Sequence, residues 1–75
     1  MSVASVISLF GNQTRLAKAA GASNQSTVSS WVAKGHIPFS RRVTIIRNAE
    51  EFGVDRFEAF RLLAAEMIEA AGVEL

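Results

Sequence analysis

The sequence predicts an all-α fold, a compact bundle of about five helices with a longer helix at its C-terminal end. Apolar residues recur at helical spacing through most of the chain, whereas strand-like alternation never extends over more than a few residues. A single proline interrupts the 75 residues, so long helical stretches are permitted. A chain this short buries only about 60% of the surface that its unfolded form exposes, and we therefore expect one domain over residues 1–75.

Two short helices are predicted at the start of the chain. The first spans about residues 3–10, with Ser2 as a candidate N-cap, and the second spans about residues 13–20, with Asn12 as its cap. A glycine follows each helix, where a left-handed residue commonly ends the helical stretch. The second helix should turn three apolar side chains inward and two basic side chains outward, namely Leu16, Ala17 and Ala20 against Arg15 and Lys18.

The third helix, predicted over about Gln25 to Lys34, is the most informative segment. Either Ser23 or Asn24 is suited to be its N-cap. Its apolar positions, which should face the core, are Val28, Trp31 and Val32. The other positions before Lys34 are small or hydrogen-bonding and carry no charge, so this helix can approach another surface closely.

A fourth helix is predicted over about residues 41–52, after a connector in which Pro38 disfavours helical angles at the preceding residue. Ser40 is its expected cap, and Gly53 should end it. Its inward positions are Val43, Ile46, Ala49 and Phe52. Three arginines should lie on its outer side, namely Arg41, Arg42 and Arg47.

The last helix should run from Asp55 to about Ala71, and the spacing from Asp55 to Glu58 matches a capping box. Its apolar stripe is broad and consists of Phe57, Phe60, Leu63, Ala64, Met67, Ile68 and Ala71. This stripe is wider than one small core requires. Two interpretations stay open, an oligomerisation element over residues 55–71 and a long helix that wraps its own core.

Charge is segregated along the chain. Residues 1–49 contain six Lys and Arg and no Asp or Glu, whereas residues 50–75 contain two Arg and seven acidic residues. The first part therefore carries a formal charge of +6 and the second −5, although the whole chain carries only +1. This asymmetry predicts a front that faces a polyanion and an acidic rear that avoids it. Chance segregation in a small sample is the plainer interpretation.

Several classes of function are disfavoured by the composition. The chain has no cysteine and one histidine, so neither a disulfide framework nor a metal site is expected. A nucleophile, histidine and carboxylate set is missing, as is a glycine-rich phosphate loop, so we predict neither an enzyme nor a cofactor. The longest apolar run, residues 62–65, is far short of the roughly 20 residues of a membrane span, and residues 1–10 lack a basic leader. We expect a soluble, cytoplasmic protein.

The second and third helices match the helix-turn-helix arrangement, in which a glycine-containing turn joins two short helices and the second enters the DNA major groove. Ala17 is small where the helices should cross, and Gly21 permits the turn. Val28 and Trp31 would anchor the third helix, so that its other face projects outward. The pattern therefore predicts a DNA-reading helix within the all-α bundle.

Residues of this region also resemble a known family. The carrying segments are Phe10-Gly11-Asn12-Gln13-Thr14, Leu16-Ala17-Lys18-Ala19-Ala20-Gly21, Val28-Ser29-Ser30-Trp31 and Gly35-His36-Ile37-Pro38. Together they resemble the Cro/YdaS group of small phage-type repressors over about residues 3–52. The resemblance implies an all-helical, cytoplasmic transcriptional regulator of phage or bacterial origin, often dimeric on operator DNA. The chain departs from the group by one extra residue between Gly21 and Val28 and by its last helix.

We predict that different residues contact the bases and the phosphates of the DNA. The candidate base-reading side chains are Gln25, Ser26, Thr27, Ser29 and Ser30. The candidate phosphate contacts are Thr14, Arg15, Lys18, Lys34, Arg41 and Arg42. Gln25 can pair with adenine through two hydrogen bonds, and a face without arginine should read guanine weakly. The plainer interpretation is that each serine or threonine is merely solvated.

The sequence thus predicts a sequence-specific regulator of transcription that binds double-stranded DNA, expected to be a repressor and to form a homodimer through the C-terminal helix. The alternative is a helical protein-interaction module, such as an antitoxin or co-regulator. In that alternative the apolar last helix, including Phe60 and Met67, would carry the function.

Overall fold

The computed structural model describes the backbone of residues 3–70 and the side chains of residues 3–64. Within these residues the chain is all-helical and has no strand, which confirms the predicted fold class. The elements are α1 (Val3–Phe10), α2 (Gln13–Ala19), α3 (Ser26–Lys34), α4 (Phe39–Asn48), a 3-10 helix (Ala49–Phe52) and α5 (Arg56–Ala70). Helix α2 packs against α1, α3 and α4, and α5 packs against α1 and α4.

Short polar side chains accept hydrogen bonds from amides in the first turn of three of the helices. The Asn12 side chain accepts a hydrogen bond from the Arg15 amide at 2.9 Å, which confirms Asn12 as the cap of α2. The N-cap of α3 is Gln25, which makes no side-chain cap bond, rather than Ser23 or Asn24 as expected. Asn24 lies one position earlier, and its Oδ1 accepts from the Ser26 amide at 3.0 Å. Asp55 likewise accepts from the amide of Phe57 at 2.8 Å at the start of α5.

The expected cap of α4 was wrong. Helix α4 begins at Phe39, so Ser40 lies inside its first turn rather than before it. Pro38, with φ −57°, precedes the helix and its carbonyl accepts from the amides of Arg41 and Arg42, both at 3.0 Å. Proline is suited to this place because its φ is already close to helical and the first amides of a helix lack an intrahelical partner.

The turn between α2 and α3 is built around Gly21, which has φ +73°. The amide of Gly21 donates to the carbonyl of Lys18, and the amide of Ala22 donates to the carbonyl of Ala17 at 2.9 Å. This pair of bonds is a Schellman motif, which needs a left-handed residue at the position of Gly21. A side chain there would be strained, so the glycine determines how the chain leaves α2.

The core takes at least one apolar side chain from each helix. Leu16 and Ala17 of α2 and its C-cap residue Ala20 are buried, as predicted, and Val28 and Trp31 of α3 are also buried. The other buried apolar residues are Val3, Val6, Phe10, Ala19, Ile37, Ile45, Ala49, Val54, Ala59 and Leu63. The inward face of α3 is therefore held by packing against the rest of the bundle.

Two apolar residues that were expected to face inward, Val32 and Val43, are exposed instead, and so are Phe57 and Phe60 of the broad α5 stripe, for which two interpretations had stayed open. The exposed fractions are 47% for Val32, 41% for Val43, 81% for Phe57 and 55% for Phe60. In α4 the inward position belongs to Ile45, and in α5 it belongs to Ala59 and Leu63. Because a helix turns by about 100° per residue, a side chain two positions away points to nearly the opposite side. Ser2, Met67, Ile68 and Ala71, also named in the sequence predictions, lie outside the residues whose side chains are described.

The expectation that Arg42 lies on the outer side of α4 was also wrong. Arg42 is only 8% exposed, and its Nε donates to the carbonyl of Ile37 at 2.7 Å. It lies three positions before Ile45, on the side of the helix that faces the bundle. A buried arginine requires such a partner because its charge is costly to remove from water.

Candidate nucleic-acid interface

Helix α3 presents a polar outer face that is rigidly attached to the core. Val28 and Trp31 are buried on one side of the helix, whereas Ser26, Ser29 and Ser30 are exposed on the other. At 100° per residue, the serines lie roughly opposite the two buried anchors. We call Gln25, Ser26, Ser29 and Ser30 the reading face.

The structure brings four of the five predicted base-reading residues together on this surface. Gln25 is exposed just before the first residue of α3. Thr27 is half-buried, because it lies at the edge of the stripe formed by Val28 and Trp31. Thr27 therefore has less reach toward a ligand than the other four.

Two side-chain hydrogen bonds join the reading face to the first turn of α2. Ser29 Oγ donates to Gln13 Oε1 at 2.9 Å, and Thr14 Oγ1 donates to Gln25 Oε1 at 3.3 Å. Gln13 was not predicted as a site residue, although its place at the start of the helix before α3 is a usable signal. The bonds orient two of the candidate reading side chains before any ligand binds.

The candidate phosphate ligands separate into two groups. Lys18 and Lys34 are exposed, as is Thr14. The arginines instead bind carbonyl oxygens of the chain itself: Arg15 Nε donates to Phe10 at 2.7 Å, and Arg41 Nη1 donates to Ala20 at 3.0 Å. These carbonyls lie at helix C-terminal ends, which attract cations. The lysines are therefore the most available cations near the reading face.

Arg15 has a further structural role. Its second guanidinium nitrogen donates to the carbonyl of Phe52, and the guanidinium carbon lies 5.5 Å from the centroid of the Phe52 ring. The side chain thus ties the end of α1 to the end of the 3-10 helix, and a cation over an aromatic face adds to the attraction. A phosphate contact by Arg15 would have to compete with these bonds.

Two apolar residues also lie beside the reading face: Ala33, which was expected on the outer side of the helix but not named as a site residue, and Val32, which was expected to face the core. Both are exposed, and Val32 lies three positions after Ser29 on the same side of the helix. Hydropathy predicts that a valine at position 32 is buried in the core. The only sequence signal for its exposure is its helical spacing from Val28 and Trp31, which places Val32 at the edge of the buried stripe.

Other kinds of site find little support in the described part of the chain. No three His, Asp or Glu side chains among these residues are grouped so that they could hold a metal ion. None of the helices described is both long and apolar enough to cross a bilayer. The surface with the clearest chemical character here is the reading face, with its flanking lysines.

Comparison with protein-family models, curated proteins and solved structures finds no match to this chain. The likeness to the Cro/YdaS group therefore remains a prediction from the residues, and the function has to be argued from the geometry of the reading face.

Proposed function

We propose that this protein is a sequence-specific regulator of transcription that binds double-stranded DNA and reads the major groove with α3. One observation carries the proposal: a helix anchored in the core by Val28 and Trp31 exposes three serines that are small, uncharged and hydrogen-bonding. The major groove is about 12 Å wide and admits an α-helix. Small side chains let the backbone of α3 come close to the base edges.

The side chains of the reading face match particular base edges. Gln25 can form two hydrogen bonds with adenine, provided that its bond to Thr14 is exchanged for the base. The serine hydroxyls can donate or accept, and the exposed methyl groups of Val32 suit the methyl group of thymine. We therefore expect an operator in which A·T pairs predominate at the contacted positions.

Phosphate contacts would hold α3 in register on the duplex. Lys18, Lys34 and the Thr14 hydroxyl are the exposed groups that supply them, and Arg41 would add its charge if it released Ala20. Each neutralised phosphate releases counterions, so the logarithm of affinity should fall with the logarithm of salt concentration by about 0.9 per phosphate. Because only a few exposed groups are available for phosphate contacts, we expect the slope of log affinity against log salt concentration to be small.

Regulation would follow from occupancy of the operator. A helical domain seated in the major groove blocks access by other proteins, and we therefore expect repression. If two copies bind with two-fold symmetry, their reading helices should lie roughly 34 Å apart on an imperfect palindrome. An asymmetric site protected by one copy would contradict this symmetry.

The test replaces Ser30 by glutamate. Ser30→Glu places a carboxylate against the base edges and phosphates, so we expect sequence-specific binding to be lost with little change in helicity or thermal midpoint. Ser8→Glu is the matched control, because Ser8 is an exposed serine of α1 and receives the same charge. Fluorescence anisotropy on duplexes selected from a randomised pool measures both. Equal binding by the two variants would remove α3 from the reading role.

A further inference from the structure

A second surface of the molecule is apolar, and four of its five residues are exposed, whereas Ile46 is half-buried. It consists of Phe39, Val43 and Ile46 of α4 together with Phe57 and Phe60 of α5, and we call it the aromatic surface. Phe39 is 61% exposed and Phe57 is 81% exposed. Such exposure is unusual for phenylalanine, whose ring belongs to the groups that gain most from burial.

The five residues form one continuous surface. Phe39, Val43 and Ile46 recur at intervals of four and three residues, which places them on one side of α4. Ile46, Phe57 and Phe60 line a common pocket of about 450 Å³, whose other lining residues are the charged Glu50 of the 3-10 helix and Arg56 of α5. Ile46 therefore belongs to both groups and joins them.

The size of the aromatic surface fits a protein interface. At roughly 200 Å² per phenylalanine side chain, the exposed fractions of the three rings correspond to about 400 Å² of apolar area. A stable interface buries about 800 Å² on each partner. The rings alone would thus supply about half of one side, and the flanking residues would supply the rest.

The charges around the aromatic surface are mixed and paired. Arg56 Nη1 lies 3.7 Å from Glu50 Oε1, and Arg61 Nη2 lies 3.2 Å from Glu58 Oε2. A strongly acidic or strongly basic partner would meet like charges on this rim. A second copy of the chain, related by a two-fold axis, can instead place each arginine near a glutamate of its partner, since such an interface pairs a surface with itself.

We infer that the aromatic surface binds a second copy of this protein and forms a two-fold symmetric dimer. This assigns the interface to α4 and the first turns of α5, whereas the sequence predictions placed it on the C-terminal helix alone. The inference rests on the proposed function for its link to DNA, since a dimer would explain a palindromic operator. The dimer itself is tested without DNA.

The experiment compares two exposed valines. Val43 lies on the aromatic surface and Val32 lies beside the reading face, with exposed fractions of 41% and 47%. We expect sedimentation velocity to show a wild-type dimer between micromolar and millimolar concentrations. Val43→Ser should raise its dissociation constant at least tenfold, and Phe57→Ser should do the same. Val32→Ser should leave the constant within a factor of two. Circular dichroism on every variant verifies that the fold is retained.

Two results would overturn the inference. One is a wild-type chain that remains monomeric at millimolar concentration, and the other is a dimer that Val43→Ser and Phe57→Ser leave unchanged. Monomers that still bind a selected duplex specifically would overturn the dimer and leave the proposed function standing. A dimer that binds all duplexes equally would support the dimer and contradict the proposed function.

Discussion

The reading face and the aromatic surface are built on similar helices but differ in almost every chemical respect. The reading face consists of glutamine and serine, and the cations beside it are lysines. The aromatic surface consists of three phenylalanines and two aliphatic residues, with acids and bases paired at its rim. A surface that recognises base edges must bring hydrogen-bond donors and acceptors within bonding distance of them. A surface that binds another protein through the hydrophobic effect must instead remove a large apolar area from water. The contrast teaches that one small bundle can separate two kinds of recognition.

The two surfaces also differ in how they are supported. The reading face lies on a single helix, held by Val28 and Trp31 from behind and by the Gln13 and Thr14 hydrogen bonds at its side. The aromatic surface spans two helices, and its pocket exists only where α4 and α5 meet. Substitutions in the core should therefore damage both surfaces, and substitutions at the exterior should damage one.

Removal of the anchor of α3 should have the largest effect. Trp31 is 3% exposed, and truncation of a buried tryptophan to alanine costs about 3–5 kcal/mol in the free energy of unfolding. Urea denaturation of Trp31→Ala should show this loss, which approaches the whole stability of many small domains. Val32→Ala, one residue along, is the control and should cost far less. Equal costs at the two positions would contradict the assignment of the inward face.

The next largest change in stability should distinguish a buried cation, Arg42, from an exposed one, Lys34. Arg42→Met removes the donor to the Ile37 carbonyl, and a buried acceptor left without its partner costs about 1–3 kcal/mol. Lys34→Met removes an exposed charge and should change stability by less than about 0.5 kcal/mol. Thermal unfolding measures both. If Arg42→Met kept full stability and lost DNA affinity, Arg42 would return to the set of phosphate contacts.

Replacement of Lys18 should have the smallest effect on stability but a measurable effect on DNA binding. Lys18→Ala should leave the thermal midpoint unchanged and make the salt dependence of DNA affinity shallower by about 0.9 in the slope of the logarithms. Binding titrations at several salt concentrations measure the slope. Arg47→Ala is the control, because Arg47 is also exposed but lies outside the predicted contact set. The same change in both variants would indicate a diffuse effect of net charge rather than a contact.

Much of the helical framework could be predicted because its signals are local. The bounds of α1 and the cap at Asn12 follow from apolar spacing and from a side chain that bonds the next turn. The inward residues of α2 and the two anchors of α3 also followed from spacing alone. Four of the five predicted base-reading residues proved to share one exposed surface for the same reason.

The errors concern residues whose environment depends on distant parts of the chain. Val43 is apolar, so hydropathy places it inside, but neighbouring helices cover another side of α4. For Phe57 the sequence left two interpretations open, and the packing of α5 leaves this residue exposed. Arg42 is charged, so composition places it outside, yet it is buried and its Nε donates to the Ile37 carbonyl. Arg15 is exposed as predicted, but its guanidinium also donates to the carbonyl of Phe52, which lies far along the chain. Helix periodicity alone does not determine which side of α4 packs against the bundle, nor that Phe52 lies beside Arg15.

The sequence by itself determined where α1, α2 and α3 form to within about one residue, which side of α3 is polar, and how charge is divided along the chain. These properties depend on helix periodicity, glycine and short capping side chains, which act within a few residues. Only the tertiary structure decided which apolar residues stay exposed as the aromatic surface and which arginines remain available beside the reading face. Periodicity relates the sides of one helix to each other, but the packing of α1 to α5 determines which of those sides meets water.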